Sequence, residues 1–322
     1  MNQPKLQTLA FTLAISLTSL VLVAYSSTAA SRSKVQLQVL GAGGPEINDR
    51  RAGSSYLLRI DDKALVMIDT GPGSSLNFEK AGADFNDLQA LLFTHFHVDH
   101  SSDFPALVKG SYFTGRKVDL PIYGPSGNDL MPSTKEFINQ LFGKTGIYRY
   151  LNEYINPDSP SNYKIHAHNV RFTKNKIQSF NIAPNLNISA ISVHHGPLPA
   201  LAWRIDAEDC RIVISGDSSN QYETLVKLAE DSDLLIAHHA IPEQATGAAR
   251  NLHMPPSEIG KIAQAAKAKH LVLSHRMRRT EGMEEETSAI IRKHFPGPID
   301  FADDLESYPL TAVESNYRSF LT

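Results

Sequence analysis

The sequence predicts an α/β fold, and two observations carry this prediction. Short apolar runs typical of buried strands alternate with amphipathic stretches typical of helices along most of the chain. Polar clusters rich in His and Asp directly follow several strand-like runs, at residues 95–100, 194–195, 217, 238–239 and 275. Chemistry placed where strands end is typical of α/β enzymes.

The first cluster, HFHVDH at residues 95–100, supplies four metal-ligand side chains within six residues. It follows the apolar run at 88–93, which predicts a buried strand with the cluster on the loop at its end. Imidazoles two residues apart can point the same way, whereas Asp99 and His100 follow the bend towards a different point. One segment can therefore serve two neighbouring metal centres. Imidazole and carboxylate suit zinc, and also iron, manganese or nickel.

The N-terminus predicts a signal peptide at residues 1–30. An apolar stretch at 9–25 follows Lys5 and precedes small residues, with cleavage after Ala30. An uncleaved anchor is the alternative, because the stretch approaches the ~20 residues that span a bilayer. Cleavage leaves 31–322 as one large domain, and the loss of Lys5 changes the net charge from −3 to −4, which gives no reason to expect nucleic acid as a bulk partner. We therefore expect an exported, periplasmic protein that leaves the membrane on cleavage.

Strand signals dominate the first half of the chain. The predicted elements are strands at 35–40, 54–60, 64–68, 88–93 and 121–125 and helices at 103–109 and 134–142. The Gly-rich turn after the first strand opens no amphipathic helix, so the dinucleotide fingerprint fails. The strands at 54–60 and 64–68 are predicted to form a hairpin. It ends at Asp69, which we expect to orient a metal ligand. Residues 126–180 are the least regular stretch. The sequence does not decide whether they form the lid or wall of a pocket or plain surface structure. His166 and His168 there indicate a solvent-facing strand rather than a metal site.

The second half of the chain shows the same pattern as the first, with polar clusters at the ends of predicted strands. Its predicted elements are strands at 186–193, 201–205, 211–215, 233–237 and 270–273 and helices at 222–229 and 257–268. Together with the hexapeptide, His194 or His195, Asp217 and His275 complete a set for two metal ions, and spacing does not decide between the adjacent histidines. Asp217 could bridge the ions, which lie ~3.5–4 Å apart in such sites. Metal-bound water loses its proton near neutral pH, so the reaction class that follows is hydrolysis by hydroxide.

In these motifs the chain resembles the metallo-β-lactamase superfamily. The shared order is H-x-H-x-D-H, then His-Gly-Pro, Gly-Asp and Leu-Ser-His, over residues 35–280. The chain most resembles the branch that holds ribonuclease Z and related phosphodiesterases and arylsulfatases. The segments that match this branch are VLGAGGP, the RxGSSYLL of residues 51–58, VMIDTGPG, GR followed by PIYGPSG, and Trp203-Arg204.

The resemblance implies an αβ/βα sandwich of two similar halves with two zinc ions at one edge, manganese or iron being the alternatives. It implies one zinc on His95, His97 and His195 and the other on Asp99, His100 and His275, with Asp217 between them. The choice of His195 over His194 rests on the family's His-Gly-Pro. It also implies that His253 donates a proton to the leaving group, although Pro255-Pro256 replaces the branch's usual Ser/Thr-Ala after it.

Arg276, Arg278 and Arg279 follow the last predicted ligand and are our candidates for substrate binding. A guanidinium fork matches phosphate or sulfate oxygens, while a solvated basic loop is the alternative. The predicted catalytic residues are Asp99, which holds and orients the hydroxide, and His253.

We thus predict an exported, zinc-dependent hydrolase that acts on a small-molecule ester, as a phosphodiesterase (a cyclic nucleotide, for example) or an arylsulfatase. Export argues against transfer-RNA processing, and residues 126–180 contain no long Gly/Lys-rich arm. The alternatives are a lactone or β-lactam hydrolase, whose substrate asks for a more apolar pocket, and a catalytically silent metal-dependent binding protein. A flavo-diiron oxidoreductase does not fit, because the first cluster lacks its carboxylate pattern. The oligomeric state, including a homodimer, stays open.

Overall fold

The computed structural model describes residues 34–310. The predicted signal peptide at residues 1–30 lies outside the described residues. Within the described range, no helix combines the length and the apolar character needed to cross a bilayer. The described strands are β1 (Val35–Gly41), β2 (Ser55–Ile60), β3 (Lys63–Ile68), β4 (Ala90–Leu92), β5 (Leu120–Pro125), β6 (Ile165–Val170), β7 (Gln178–Ala183), β8 (Leu186–His195), β9 (Leu198–Ala207), β10 (Cys210–Ile214), β11 (Leu234–His238), β12 (Leu271–Ser274), β13 (Ile299–Phe301) and β14 (Ser307–Leu310).

The described helices lie between the strands in sequence. The described α-helices are α1 (Ser74–Lys80), α2 (Val98–Ser101), α3 (Phe104–Ser111), α4 (Thr134–Phe142), α5 (Leu225–Ala229), α6 (Gly247–Leu252), α7 (Pro256–Ala265) and α8 (Glu284–Ile291). Short 3₁₀ turns span Phe85–Asp87, Arg149–Tyr154 and Arg278–Thr280.

Two mixed sheets of seven strands each form the framework. Their strand orders are β14-β1-β2-β3-β4-β5-β6 and β13-β12-β11-β10-β9-β8-β7. Strands β3 to β6 are parallel in the first sheet, and β10 to β13 are parallel in the second. The carboxyl ends of parallel strands share one edge of a sheet, so the loops after β4, β10 and β12 open together. The predicted α/β class, and the sandwich of two similar halves that the resemblance implied, are both confirmed.

The main core lies between the two sheets, because it is built from buried apolar side chains of both, such as Leu58 and Ile212. Trp203 of β9 is fully buried there, and its indole Nε1 donates a hydrogen bond of 2.9 Å to the carbonyl oxygen of Phe93, which follows β4. This bond ties the two sheets together directly behind the hexapeptide. Helices cover both outer faces and form two further cores.

The irregular segment after β5 packs against the outer face of the first sheet. A capping box between Ser133 and Glu136 starts α4, and Ile138 and Phe142 of that helix join the outer core. Leu151 of the following 3₁₀ turn packs there as well. The segment is therefore part of the packed body of the protein and does not extend from it as an arm.

The elements differ from prediction where backbone conformation intervenes. The helix predicted at 222–229 begins only at Leu225, because Asn220 and Glu223 adopt left-handed φ angles of 61° and 54°, which a helix excludes. The strand predicted at 88–93 is confirmed in part, as β4 pairs over Ala90–Leu92 alone. Elements β7, β13, β14, α1, α2, α6 and α8 were not predicted.

Candidate metal centre

The polar clusters meet at one edge of the sandwich. His95 and His97 follow β4 of the first sheet. His195 ends β8 of the second sheet, while Asp217 and His275 follow β10 and β12. Since these strands end at the same edge, both halves of the fold contribute side chains to one site.

Two residues of the site hold unusual backbone conformations. Asp69 and His275 have φ angles of 57° and 55°, in the left-handed region that non-glycine residues rarely adopt. Such conformations cost on the order of 1–3 kcal/mol each and cluster at functional sites. The fold therefore maintains these two side-chain positions against a local penalty.

A first group of ligand atoms contains His95, His97, His195 and Asp217, with one nitrogen or oxygen of each lying within 4.8 Å of the others. Asp217 Oδ2 lies 3.8 Å from His95 Nε2 and 3.6 Å from His195 Nε2. The three residues that the resemblance implied for the first zinc are thus brought together with Asp217, which it placed between the two ions.

A second group lies on the other side of the same carboxylate. His100, Asp217 and His275, together with His238, have ligand atoms within 4.8 Å of one another. Asp99 Oδ2 lies 3.2 Å from His275 Nε2 and 3.5 Å from His100 Nε2. The residues predicted for the second ion are therefore adjacent, and His238 is an addition.

The two adjacent histidines at the end of β8 separate clearly. His195 is buried in the first group, whereas His194 Nδ1 lies 2.6 Å from the hydroxyl of Ser219, outside both groups. Successive residues of a strand point to opposite faces, so only one of the pair can face the site.

Several buried nitrogens in the site have no hydrogen-bond partner within residues 34–310. They include Nε2 of His95 and Nε2 of His100. Leaving a buried polar atom unpaired costs about 1–3 kcal/mol, and a divalent cation would satisfy these lone pairs. The donor set of imidazole nitrogens and carboxylate oxygens is the chemistry that zinc, manganese and iron take in proteins. The residues present therefore fit divalent metal ions.

Outer contacts fix the ligands in orientation. His195 Nδ1 donates to the carbonyl oxygen of Leu252 at 2.9 Å, and His100 Nδ1 donates to Asp69 Oδ2 at 2.7 Å. In both rings this places the lone pair on Nε2, which faces the metal groups. Thr94 in turn donates to Asp69 from its amide and from its hydroxyl, each at 2.7 Å. Asp69 thus contacts a predicted ligand, as the sequence led us to expect.

The electrostatics of the site reflect dense packing of its ionisable groups. Burial lowers the pKa of His95 well below its ordinary value, and the neighbouring His100 and His195 lower it further. Burial opposes ionisation of Asp217, yet the imidazoles of His275, His253 and His100 hold its pKa well below the usual range. The central carboxylate is therefore ionised and ready to accept a cation.

A cavity of about 350 Å³ opens in front of the two groups. Its walls comprise Pro45, His97, Val98, Asp99, His195, Asp217, Leu252, His253, His275, Met277 and Arg279. The predicted segment 126–180 contributes nothing to these walls. Four of the lining residues are apolar, and the sequence analysis predicted none of them as lining residues. Val98 and Leu252 lie at the ends of the short helices α2 and α6, and Pro45 and Met277 lie on loops.

His253 lies in the wall of this cavity and is buried, so it is not a surface histidine. Its Nδ1 is 4.0 Å from Asp217 Oδ2 and has no hydrogen-bond partner among the described residues. Burial is the main cause that lowers the pKa of His253 to about 3, against the opposing effect of Asp217. The predicted proton donor therefore faces the metal groups.

The three arginines that we predicted for substrate binding occupy different places. Arg276 is buried, pairs with Asp303 and Glu284, and stacks on the ring of Phe301. Arg278 is exposed and does not line the cavity. Of the three, Arg279 alone lines it. We therefore assign Arg276 a structural role, because carboxylates of the chain itself already neutralise it.

Comparison with known families identifies the site's origin. Residues 65–276 match the model of the beta-lactamase superfamily domain, and this range contains every predicted metal ligand. The chain belongs to the metallo-β-lactamase superfamily. The resemblance seen in the sequence is thereby confirmed, and the protein is a hydrolase of that superfamily, related to ribonuclease Z.

Relatives within the superfamily carry the name ribonuclease Z. One from Mycobacterium sp. (strain KMS) is 29% identical over 286 residues, which is 84% of this chain and 94% of the relative. Among solved structures, the metallo-beta-lactamase fold protein YhfI from Bacillus subtilis has a TM-score of 0.66 at 23% identity and covers 87% of this chain and 100% of its own. The short form of human tRNase Z has a TM-score of 0.65 at 20% identity, covering 85% and 98%. These structures share the fold.

Proposed function

We propose that the protein is an exported hydrolase with two zinc ions that cleaves a small phosphodiester. The observation that carries the proposal is the position of Asp217, whose carboxylate lies between two groups of buried ligand atoms that face one cavity. His95, His97 and His195 would hold one ion and Asp99, His100 and His275 the other, with Asp217 shared. Metal ions held there would supply Lewis acidity for activating water near neutral pH and for neutralising charge on the ester.

The residues of the chain supply positioning and proton transfer. Arg279 donates from Nε to the carbonyl oxygen of Ala240 and from Nη2 to the sulfur of Met277, which fixes its guanidinium at the cavity wall. Its Nη1 makes no hydrogen bond within residues 34–310 and is left to donate to an anionic oxygen of the substrate. His253, on the same wall, is neutral near neutral pH because its pKa is lowered to about 3, so it would first take up the proton that the attacking water releases and then pass it to the departing oxygen.

Two features favour a small substrate over RNA. A cavity of about 350 Å³ is near the lower end of the ~300–1,000 Å³ typical of small-molecule sites. The net charge of −3 offers no general attraction to a polyanion. The relatives named ribonuclease Z support phosphodiester chemistry, which a small diester shares with RNA.

A second candidate is hydrolysis of a carbonyl ester such as a lactone. Pro45, Val98, Leu252 and Met277 make the cavity wall more apolar than the arginine-rich sequence had suggested, and such a wall suits an uncharged ester. An aryl sulfate shares the charge and the aromatic group of an aryl phosphodiester, so the same residues would serve it.

The deciding experiment is kcat/KM of zinc-loaded residues 31–322 on bis-p-nitrophenyl phosphate, p-nitrophenyl sulfate, a cyclic nucleotide, a lactone and a β-lactam. The variant Asp217→Ala should lower kcat/KM by more than about 100-fold, because even the loss of outer contacts of metal ligands lowers metal affinity or activity 10- to 100-fold. Asp119→Ala is the matched control, since this carboxylate also contacts a histidine but lies on the surface.

The proposal is supported if kcat/KM is highest for the phosphodiesters and if this activity is lost in Asp217→Ala but kept in Asp119→Ala. Preference for the lactone moves the second candidate to first place and leaves the metal site intact. Zinc binding without turnover of any substrate would indicate a binding protein instead. Export is tested separately by sequencing the N-terminus of the mature protein, which should begin at Ser31; an intact Met1 would refute cleavage.

A further inference from the structure

A buried chain of polar side chains runs from the first sheet to the central carboxylate of the site. The hydroxyl oxygen of Tyr56 in β2 lies 2.9 Å from Nε2 of His238, which ends β11 in the second sheet. On the other side of the ring, His238 Nδ1 lies 2.8 Å from Asp217 Oδ1. Tyr56, His238 and Asp217 are at most 2% exposed, and Ser274 Oγ, 2.8 Å from the phenol oxygen, closes the chain.

The hydrogen-bonding roles in this chain are restricted. An ionised carboxylate only accepts, so Nδ1 of His238 donates to Asp217. The other ring nitrogen, Nε2, is hydrogen-bonded to the phenol oxygen of Tyr56. Although His238 belongs to the second group of ligand atoms, both of its nitrogens are therefore engaged by the protein, and it is not available as a further imidazole ligand.

The contact with His238 determines how Asp217 presents its two oxygens. Oδ1 is held by His238 and lies 3.3 Å from Nε2 of His275. Oδ2 then lies 3.6 Å from Nε2 of His195, in the first group, and 3.7 Å from Nε2 of His100, in the second. Rotation of the carboxylate about its terminal bond would break the hydrogen bond of Oδ1 and move Oδ2 away from this middle position.

We propose that Tyr56 and His238 are positioning residues which lock the rotation of Asp217, so that Oδ2 stays directed between the two metal groups. The inference rests on the proposed function, because it concerns ligands of the metal ions. Neither residue touches the substrate cavity, so both act only through Asp217. Residues of this kind typically contribute 10- to 100-fold in metal affinity.

The test measures zinc affinity of full-length mature protein by competition with a chromophoric chelator, for Tyr56→Phe, His238→Ala and His238→Asn. We expect the affinity for the more weakly bound of the two zinc ions to fall about 10- to 100-fold in Tyr56→Phe and in His238→Ala. His238→Asn should recover much of the loss, because the amide nitrogen of Asn can replace Nδ1 as the donor to Asp217. A purely structural role predicts no such recovery.

The matched control is Tyr163→Phe, which also removes a buried phenol oxygen, there bonded to the hydroxyl of Ser111 on the outer face of the first sheet. Its zinc affinity should equal that of the wild type. Melting temperatures in chelator separate misfolding from weak binding, and if His238→Ala fails to fold, Tyr56→Phe decides because it removes one oxygen atom only.

Wild-type zinc affinity in both Tyr56→Phe and His238→Ala, with two ions bound to the wild type, would overturn this inference and leave the proposed function standing. If the wild type itself binds no divalent ion, the proposed function fails and the inference fails with it.

Discussion

Replacing Asp69 by Asn should weaken the binding of one metal ion, because it reverses the tautomer of a ligand. The carboxylate of Asp69 accepts hydrogen bonds from the Thr94 amide on Oδ1 and from His100 Nδ1 on Oδ2, each at 2.7 Å. An Asn side chain keeps one acceptor oxygen for the amide and turns its NH₂ group towards His100. The ring must then accept at Nδ1, which places its proton on Nε2 and removes the lone pair that faces the metal groups.

The size of the effect follows from the bond that is lost. A hydrogen bond to a charged group contributes about 1.5–3 kcal/mol, and each ~1.4 kcal/mol corresponds to tenfold in affinity. The ion bound by His100 should therefore bind roughly 10- to 100-fold more weakly in Asp69→Asn, which zinc titration against a competing chelator measures. The control is Asp119→Asn, since Asp119 lies at the same 2.7 Å from the exposed His166. Equal zinc affinity in Asp69→Asn and the wild type would refute the tautomer argument.

Three further predictions concern the cavity and the fold. His253→Gln should lower kcat by about 10²–10⁴-fold for esters of poor leaving groups and much less for p-nitrophenyl esters, which need no proton, as steady-state kinetics will measure. Arg279→Ala should raise KM for anionic esters by about 10-fold or more, since hydrogen bonds to charged groups contribute ~1.5–3 kcal/mol, while KM for a lactone stays unchanged. Trp203→Phe should lower the free energy of unfolding by about 1–3 kcal/mol in urea denaturation, because the buried carbonyl of Phe93 loses its donor.

Each of these predictions has a clear contrary result. An equal loss of kcat for good and poor leaving groups would remove proton donation from His253. An unchanged KM for the phosphodiester would exclude Arg279, and Arg278→Ala serves as its control because that side chain is exposed and outside the cavity. A stability change in Trp203→Phe below ~0.5 kcal/mol would show that the bond between the sheets contributes little.

The candidate metal ligands were predictable where they are consecutive in sequence or directly follow a strong strand pattern. The hexapeptide at 95–100 predicts both metal groups by itself. Asp217 and His275 follow apolar runs that are confirmed as β10 and β12. The choice of His195 needed the family pattern, although alternation along β8 gives the physical reason for it.

The rest depended on contacts that no local pattern encodes. Tyr56 and His238 are 182 residues apart in the chain and meet only because the two sheets pack face to face. Arg276 and Arg279 look equivalent in sequence, and only the loop conformation after His275 turns one towards Asp303 and the other towards the cavity. The strands β13 and β14 contain three and four residues, too few for a period of two to stand out.

Each metal group draws its atoms from both sheets, with His95 and His100 on one side and His195 and His275 on the other. An ion bound to either group would therefore cross-link residues about a hundred or more positions apart in sequence, as a disulfide does in many exported proteins. This chain has a single cysteine, Cys210, and so cannot form such a bridge within itself. Removing the metal should then loosen one half of the sandwich from the other, so that the metal supply would govern the lifetime of the protein as well as its activity.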